Sequence, residues 1–150
     1  NEQKIWADSA LELLENTPLR ESYLIGLWNN ALTTPVLKQI EKNFDVTRDE
    51  FNVIFTLKAK GPLLASEICH LNSRPKNSIS RAVTRLYKRN ALVKTQIESD
   101  KRKEQLSLTE HGVELYNLCT PFFLERQKEL MSPLDYEERR QLEFLMKKTL

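Results

Sequence analysis

Basic side chains are concentrated in one part of the sequence, between residues 74 and 103. This segment holds ten Lys/Arg and two acidic residues, a net charge of +8, although the whole chain of 150 residues carries +2. The other residues together carry −6. Clustered Lys and Arg neutralise phosphates, so the segment indicates a polyanionic partner. A basic face that is merely solvated is the alternative, and the charge count alone leaves it open.

Residues for catalysis or metal binding show no such clustering. His70 and His111 lie far apart and outside any group of acidic or cysteine ligands, so we predict no metal site. The sequence has no nucleophile–base spacing and no glycine-rich phosphate loop. We therefore predict a protein that is not an enzyme, with no catalytic residues and no cofactor. Cys69 and Cys119 lack the spacing of a metal motif, and we interpret them as reduced thiols.

The overall composition is that of a soluble domain with a packed core. Hydrophobic residues make up 40% of the chain and charged residues 29%, which argues against general disorder. No apolar run approaches the roughly 18–20 residues of a membrane span, and no signal-peptide pattern opens the chain. These features predict a cytoplasmic protein without a membrane partner.

The elements that position the basic residues begin with a helix from about Pro75 to Arg89. Within it, Ile79, Val83 and Leu86 repeat at i, i+4 and i+7, which predicts one buried stripe with Ala82 beside it. The opposite face carries small polar side chains and arginines, and the helix contains no acidic residue. An ordinary solvated helix would alternate Glu with Lys. The missing acids therefore favour a surface that approaches phosphates.

A β-hairpin is predicted after this helix. Asn90 suits the left-handed conformation that ends a helix. Two strands are then expected, at 92–97 and at 105–108, because both stretches have β-branched or alternating apolar residues. The polar residues 98–104 between them predict a flexible loop. Thr109 is expected to cap the next helix.

Other capping residues, glycines and prolines predict further helices on both sides of the basic segment. Thr47 and Glu50 form a capping-box pattern, and Gly61–Pro62 ends the helix that it opens. A short helix from Ala65 to about residue 71 and a turn at 72–75 precede the acid-free helix. Three Thr-Pro or Ser-Pro pairs also predict helix starts, at Thr17–Pro18, Thr34–Pro35 and Ser132–Pro133.

The order helix, turn, helix, strand, loop, strand is that of a winged helix. We predict a mainly α fold with a small β-hairpin wing: a winged helix-turn-helix on a helical dimerisation frame. N-terminal helices would occupy 1–46, the winged helix-turn-helix 47–108 and C-terminal helices 109–150.

Two stretches resemble the MarR family of bacterial transcription regulators: LLASEICHLNSRPKNSISRAVTRLYKRNALV and SDKRKEQLSLTEHG. The family's wing pattern, Asp-x-Arg followed by Leu-Thr-x-x-Gly, is matched by Asp100, Arg102, Leu108, Thr109 and Gly112. The resemblance covers about residues 20–150. It departs from the family where Asn90 replaces the usual Gly and where the helix at 1–16 is longer. Neither cysteine matches the N-terminal sensing Cys of the redox-sensing branch.

The resemblance implies a homodimeric regulator, expected to be a repressor, which binds a palindromic operator in double-stranded DNA and is relieved by a small-molecule effector. The implied recognition-helix residues are Lys76, Asn77, Ser78, Ser80, Arg81, Thr84 and Arg85. The implied wing residues are Asp100, Lys101, Arg102 and Lys103. Arg102 would enter the minor groove and Asp100 would orient it.

Several alternatives stay open at this point. A winged helix can instead bind protein, although such a module would expose apolar residues where this sequence has hydroxyls and arginines. Asp100 could be only a turn former. The aromatic residues Trp6, Tyr23, Trp28, Phe122 and Phe123 fit a core or dimer interface, and an effector pocket among them is the alternative.

Overall fold

The computed structural model describes residues 2–150, with side chains from residue 7 onward. The predicted role of Trp6 therefore lies outside the described residues. The helices are α1 (Glu2–Glu15), α2 (Arg20–Phe44), α3 (Arg48–Lys60), α4 (Ala65–Asn72), α5 (Lys76–Lys88), α6 (Glu110–Met131) and α7 (Tyr136–Thr149). The strands are β1 (Leu63–Leu64), β2 (Leu92–Ile97) and β3 (Asp100–Leu108). The mainly α fold with a small antiparallel sheet is confirmed.

The chain forms two compact units. One unit combines the residues up to Val36 with Arg126–Leu150, and the other comprises Leu37–Glu125. The second unit holds the helices α3 to α5 and the whole sheet. It is therefore the part that carries both the acid-free helix and the hairpin.

The core of the second unit forms around α5. The predicted stripe is confirmed, because Ile79, Ala82, Val83 and Leu86 are all buried. Burying one such aliphatic side chain contributes about 1.5–3 kcal/mol. The stripe belongs to a core whose other buried members include Val53, Ile54, Leu57, Ile68, Leu92, Leu106, Leu115 and Cys119. The packing fixes which face of α5 points to solvent.

The end of α5 has the predicted geometry. Asn90 has a φ of 56°, in the left-handed region. The Asn90 N–H donates to the carbonyl of Tyr87 (3.0 Å), and the Ala91 N–H donates to that of Leu86 (2.9 Å). These two bonds are a Schellman closure, which satisfies carbonyls that the helix end leaves without a partner. The chain is thereby turned directly into β2.

The sheet has the order β1-β3-β2, with both pairings antiparallel. The predicted flexible loop at 98–104 is wrong, because β3 already begins at Asp100. The register runs regularly up to Gln96↔Glu104 and then shifts, so that Ile97 pairs with Asp100. The three basic residues 101–103 thus form an irregular, bulged part of the strand. Both faces of this part of the hairpin are exposed to solvent and can carry polar side chains. A run of polar residues is also typical of a loop, so composition does not distinguish the two.

Two predicted helix starts, at Pro35 and at Ser132–Pro133, are also wrong, and α2 begins at Arg20, shortly after the predicted start at Thr17–Pro18. Pro35 lies inside the continuous helix α2 instead of beginning a new one. A proline at this position lacks the N–H that would bind the carbonyl of Ala31. Arg126 Nε donates to that carbonyl instead, at 2.8 Å. The lost backbone bond is therefore replaced by a distant side chain, which the Thr-Pro pattern could not reveal.

The last helix begins later than Ser132–Pro133 predicts. α7 starts at Tyr136, and its N-cap is Asp135. The Asp135 carboxylate accepts the N–H of Glu138 (2.9 Å), and the Glu138 carboxylate accepts the N–H of Asp135 (2.8 Å). This capping box satisfies two N–H groups at the helix start, a better local solution than the proline provides.

Candidate nucleic-acid interface

The solvent face of α5 carries the predicted recognition residues. Because the opposite stripe is buried, Lys76, Asn77, Ser80, Arg81, Thr84 and Arg85 are exposed, and Ser78 is half-buried. The Thr84 hydroxyl donates to the carbonyl of Ser80 (3.0 Å), so it presents its oxygen as an acceptor. The face therefore combines amide and hydroxyl groups with cations and contains no carboxylate of its own.

The wing residues lie at the start of β3, next to the turn of the hairpin. Asp100 Oδ1 accepts the backbone N–H of Arg102 at 3.1 Å, and Oδ2 lies 3.8 Å from Lys103 Nζ. The Asp100 carboxylate thus fixes the backbone N–H of Arg102, while the Arg102 side chain is exposed. Lys101 is exposed beside it.

A concave surface brings the helix and the wing together. Ser80 and Thr84 of α5, Ser66 of α4, and Lys94, Arg102 and Lys103 of the hairpin line a cavity of about 320 Å³. The serine hydroxyls and the cations on this concave surface are suited to the oxygens of a phosphate backbone, and the carboxylate of Glu104 also lines it. Residues of the predicted helix and wing therefore share one surface, although they lie about 20 positions apart in sequence.

The structure divides the basic segment into paired and unpaired residues. Arg74 binds Asp49 through two contacts (2.7 and 3.1 Å), and Lys94 lies 3.8 Å from Glu104. Arg85, Arg89 and Lys103 also have acidic partners. Among the described residues, the members of the segment without an ion pair are Lys76, Arg81, Lys88, Lys101 and Arg102. Most of the unpaired charge lies on the exposed face of α5 and on the wing.

Glu50 is the residue whose role the sequence shows only in part. The predicted capping box with Thr47 is confirmed, with N–H···O distances of 3.1 and 3.3 Å. The same carboxylate is also fully buried and lies 2.7 Å from Arg85 Nε and 3.8 Å from Arg89 Nη1. No local pattern links residues 35 positions apart, so sequence reasoning could not find this contact.

The Leu-Thr-x-x-Gly pattern joins the wing to the end of α5. The Thr109 hydroxyl donates to the carbonyl of Asn90 (2.6 Å) and accepts the N–H of Gly112 (3.1 Å). The Thr109 N–H also donates to the carbonyl of Ala91 (3.1 Å). Thr109 therefore caps α6, as predicted, and at the same time holds the returning strand against the C-terminus of α5.

The two cysteines differ in their environment. Cys119 is completely buried, whereas Cys69 is half-buried. Burial raises the pKa of the Cys119 thiol to about 11, and the charge of Arg89 opposes this only in part. Because the thiolate is the reactive form, the Cys119 thiol is protected near neutral pH both by its burial and by its protonation.

We expect iodoacetamide at pH 8 to modify Cys69 and to leave Cys119 unmodified in the folded protein. At this pH the fraction of Cys119 thiolate is on the order of 10⁻³, and the fraction grows only as the pH approaches the raised pKa of about 11. Mass spectrometry of peptides labelled with and without urea measures the difference. Equal labelling rates for the two cysteines in the folded protein would contradict the prediction.

The described residues hold neither a metal site nor a membrane-spanning helix. They contain no group of three or more His, Cys, Asp and Glu side chains that could hold a metal ion. His111 Nδ1 instead lies 3.2 Å from Glu114 on the same helix. Among the helices in the described part of the chain, none is long and apolar enough to cross a membrane.

Comparisons with known proteins agree with this geometry. Residues 46–103 match the MarR family. An HTH-type transcriptional regulator of Bacillus cereus is 32% identical over 121 residues, which cover 80% of this chain and 78% of the relative. A mutant MarR from E. coli in complex with operator DNA has a similar fold, with a TM-score of 0.78 and 21% identity over 90% of this chain and 99% of that chain.

A second solved structure is similar in fold. It is BpsR of Bordetella bronchiseptica, whose DNA binding is regulated by 6-hydroxynicotinic acid. The TM-score is 0.71 and the identity 20%, over 85% of this chain and 98% of that chain. The relatives are regulators and not enzymes, and the winged helix with its basic surface is the part that matches the family. The chain therefore belongs to the MarR family of DNA-binding transcriptional regulators.

Proposed function

We propose that the protein is a homodimeric repressor that binds a palindromic operator in double-stranded DNA. The observation that supports this proposal is the distribution of unpaired charge. Arg81 on the exposed face of α5 and Lys101 and Arg102 on the wing have no acidic partner among the described residues. Unpaired cations attract phosphates without first breaking an internal ion pair.

The dimensions of α5 suit the major groove of B-DNA. Its 13 residues span about 20 Å, and the groove is about 12 Å wide. Asn77, Ser78 and Arg81 lie in the N-terminal half, from which recognition helices contact base edges. Arg102 on the wing would then enter the adjacent minor groove, where the negative potential attracts arginine. Ser80 would contact the phosphate backbone between the two grooves, with Lys76, Lys101 and Lys103 near phosphates.

Exposed apolar side chains support a dimer. In the unit that combines residues up to 36 with 126–150, Leu13 is 72% exposed, Ile25 70% and Phe144 63%. α7 buries none of its residues within the chain. Large exposed apolar areas are characteristic of interaction surfaces, and a two-fold dimer is the most common solution. Two recognition helices related by a two-fold axis require a palindromic site.

An effector ligand is the third part of the proposal. It is supported by the similarity to BpsR, which responds to 6-hydroxynicotinic acid. A ligand would act by changing the distance between the two recognition helices, because half-sites lie about 34 Å apart and tolerate little change. Phe122 and Phe123 are engaged in ring contacts with Phe44 (5.8 Å) and Phe51 (4.5 Å). These two half-buried rings therefore pack against other aromatic rings of the second unit.

Selection of bound duplexes from random DNA tests the proposal. We expect an inverted repeat whose half-site centres are about 10 base pairs, or a multiple of that, apart. The affinity for the selected site should fall steeply as salt increases, because phosphate neutralisation releases counterions. Sedimentation should give a dimer in the absence of DNA. Recovery of no motif, or of an asymmetric motif bound by a monomer, would contradict the proposal.

A further inference from the structure

A buried carboxylate lies beneath the recognition helix. The Glu50 side chain is 0% exposed, and its Oε1 lies 2.7 Å from Arg85 Nε. Its Oε2 lies 3.8 Å from Arg89 Nη1 and accepts the N–H of Thr47. Among the described residues, no donor is aligned well enough with Oε1 for a hydrogen bond. The contact with Arg85 is therefore an ion pair that is defined by its short distance. The Arg85 guanidinium is the positive charge closest to Oε1.

The same cluster contacts the end of α2. Arg89 donates to the carbonyl of Phe44 (2.9 Å) and to that of Asp45, at the C-terminus of α2. Arg85 Nη2 also lies 3.4 Å from Asp45 Oδ1. The last turn of α5, the C-terminus of α2 and the first turn of α3 thus meet at one buried carboxylate. Both arginines come from α5 or its C-cap, so the cluster fixes how this helix is rotated and tilted within its own unit.

We infer that Glu50 is a positioning residue for the recognition helix, and that Arg85 acts through Glu50 instead of binding a DNA phosphate. This inference rests on the proposed DNA-binding function. It assigns two roles within the basic segment: Arg85 and Arg89 orient α5, while Arg81 and Arg102, which have no ion pair, contact the nucleic acid.

Electrostatics favour this assignment for Arg85. Its guanidinium lies between Glu50 and Asp45, so a phosphate at the same place would be repelled by two carboxylates. Moving the guanidinium to a phosphate would leave Glu50 Oε1 buried beside only the more distant Arg89. A buried carboxylate that loses its partner is strongly unfavourable. Arg102 faces no such competition, because only its backbone is held by Asp100.

The test is a double-mutant cycle on the selected duplex. Glu50→Gln keeps the shape of the side chain and removes its charge. We expect it to weaken specific binding by about tenfold, while low-salt binding to random duplex stays the same or strengthens. Arg85→Gln should also weaken specific binding. In the Glu50→Gln background, however, it should add less than about a twofold further loss.

The salt dependence gives a second readout that a purely structural role would not predict. Removing one phosphate contact per protomer lowers the slope of log K against log salt by about 1.8 for a dimer. We expect Arg85→Gln to leave the slope unchanged and Arg102→Gln to reduce it. The slope for Arg85→Gln is measured with Glu50 intact, so it decides the question even if Glu50→Gln does not fold. Melting followed by circular dichroism ensures that each variant is assayed in its folded state.

Two results would overturn the inference. One is a reduced slope for Arg85→Gln similar to that for Arg102→Gln. The other is a double variant whose loss equals the product of the two single losses. Either result leaves the proposed function intact, because the wild type would still bind its operator. Failure of the wild type to select any DNA sequence would instead refute the function itself.

Discussion

Gly112→Ala is expected to lower the free energy of unfolding by about 3 kcal/mol or more, a severe case of overpacking. A Cβ at this position would lie 2.0 Å from the carbonyl oxygen of Ala91 and 3.0 Å from Leu108 Cδ2. The obstructing oxygen belongs to the backbone and already accepts the N–H of Thr109. It cannot move away without separating the start of α6 from the end of the recognition helix.

Gly26→Ala is the matched control for this prediction. A Cβ on Gly26 would meet no atom within 4 Å, and the residue lies inside helix α2. Replacing an unobstructed helical glycine by alanine usually stabilises a helix by about 0.5–1 kcal/mol. Urea denaturation of both variants, at one protein concentration, measures the two effects. Similar unfolding midpoints for Gly112→Ala and the wild type would show that the two segments can separate at little cost.

The elements that the sequence predicts well are those specified by local rules. The apolar spacing of Ile79, Val83 and Leu86 defines the buried face of α5, and thus its exposed face. Asn90 ends the helix because it adopts the left-handed conformation with little strain. Thr109 caps the following helix through its own hydroxyl. Each of these features depends on neighbours within about one helical turn.

Two of the wrong predictions share a physical cause. Pro35 is accommodated within α2 because Arg126, distant in sequence, binds the carbonyl that proline leaves free. Residues 101–103 belong to a strand because the antiparallel partner β2 extends to Ile97. The partner of Pro35 is distant in sequence and that of residues 101–103 is the adjacent strand of the hairpin, and in both cases this partner overrides the local preference. Composition indicates which residues can form a loop or a helix start, but it does not show what pairs with them.

In the candidate site, too, composition does not show which side chains are paired. The net charge of +8 between residues 74 and 103 identifies the segment, but it cannot tell which cations are available. Arg74 and Arg85 are held by the acidic residues Asp49 and Glu50 of α3. Arg81, from the same helix as Arg85, has no such partner among the described residues. Only the fold, which brings α3 against α5, separates these two kinds of arginine.

Arg102→Ala is expected to weaken binding to the selected operator by about 100-fold. A lost arginine contact costs about 1–3 kcal/mol, and a two-fold dimer loses it twice. The Arg102 side chain is exposed and has no ion pair in the described structure, so its removal should leave the melting temperature unchanged. The salt slope should fall by about 1.8, because the dimer loses one neutralising cation in each half-site.

Lys128→Ala provides the charge-matched control for the wing. Lys128 is exposed on α6, outside the recognition helix and the wing. Its substitution by alanine removes the same charge as Arg102→Ala. Its effect on operator affinity should stay within about twofold at physiological salt, because the substitution removes no side chain that is assigned a contact with DNA and salt screens exposed charges. Lys103→Ala should lie between the two variants, since Lys103 Nζ is 3.8 Å from Asp100. Equal losses for Arg102→Ala and Lys128→Ala would mean that binding depends on net charge alone, and that the wing has no specific contact with DNA.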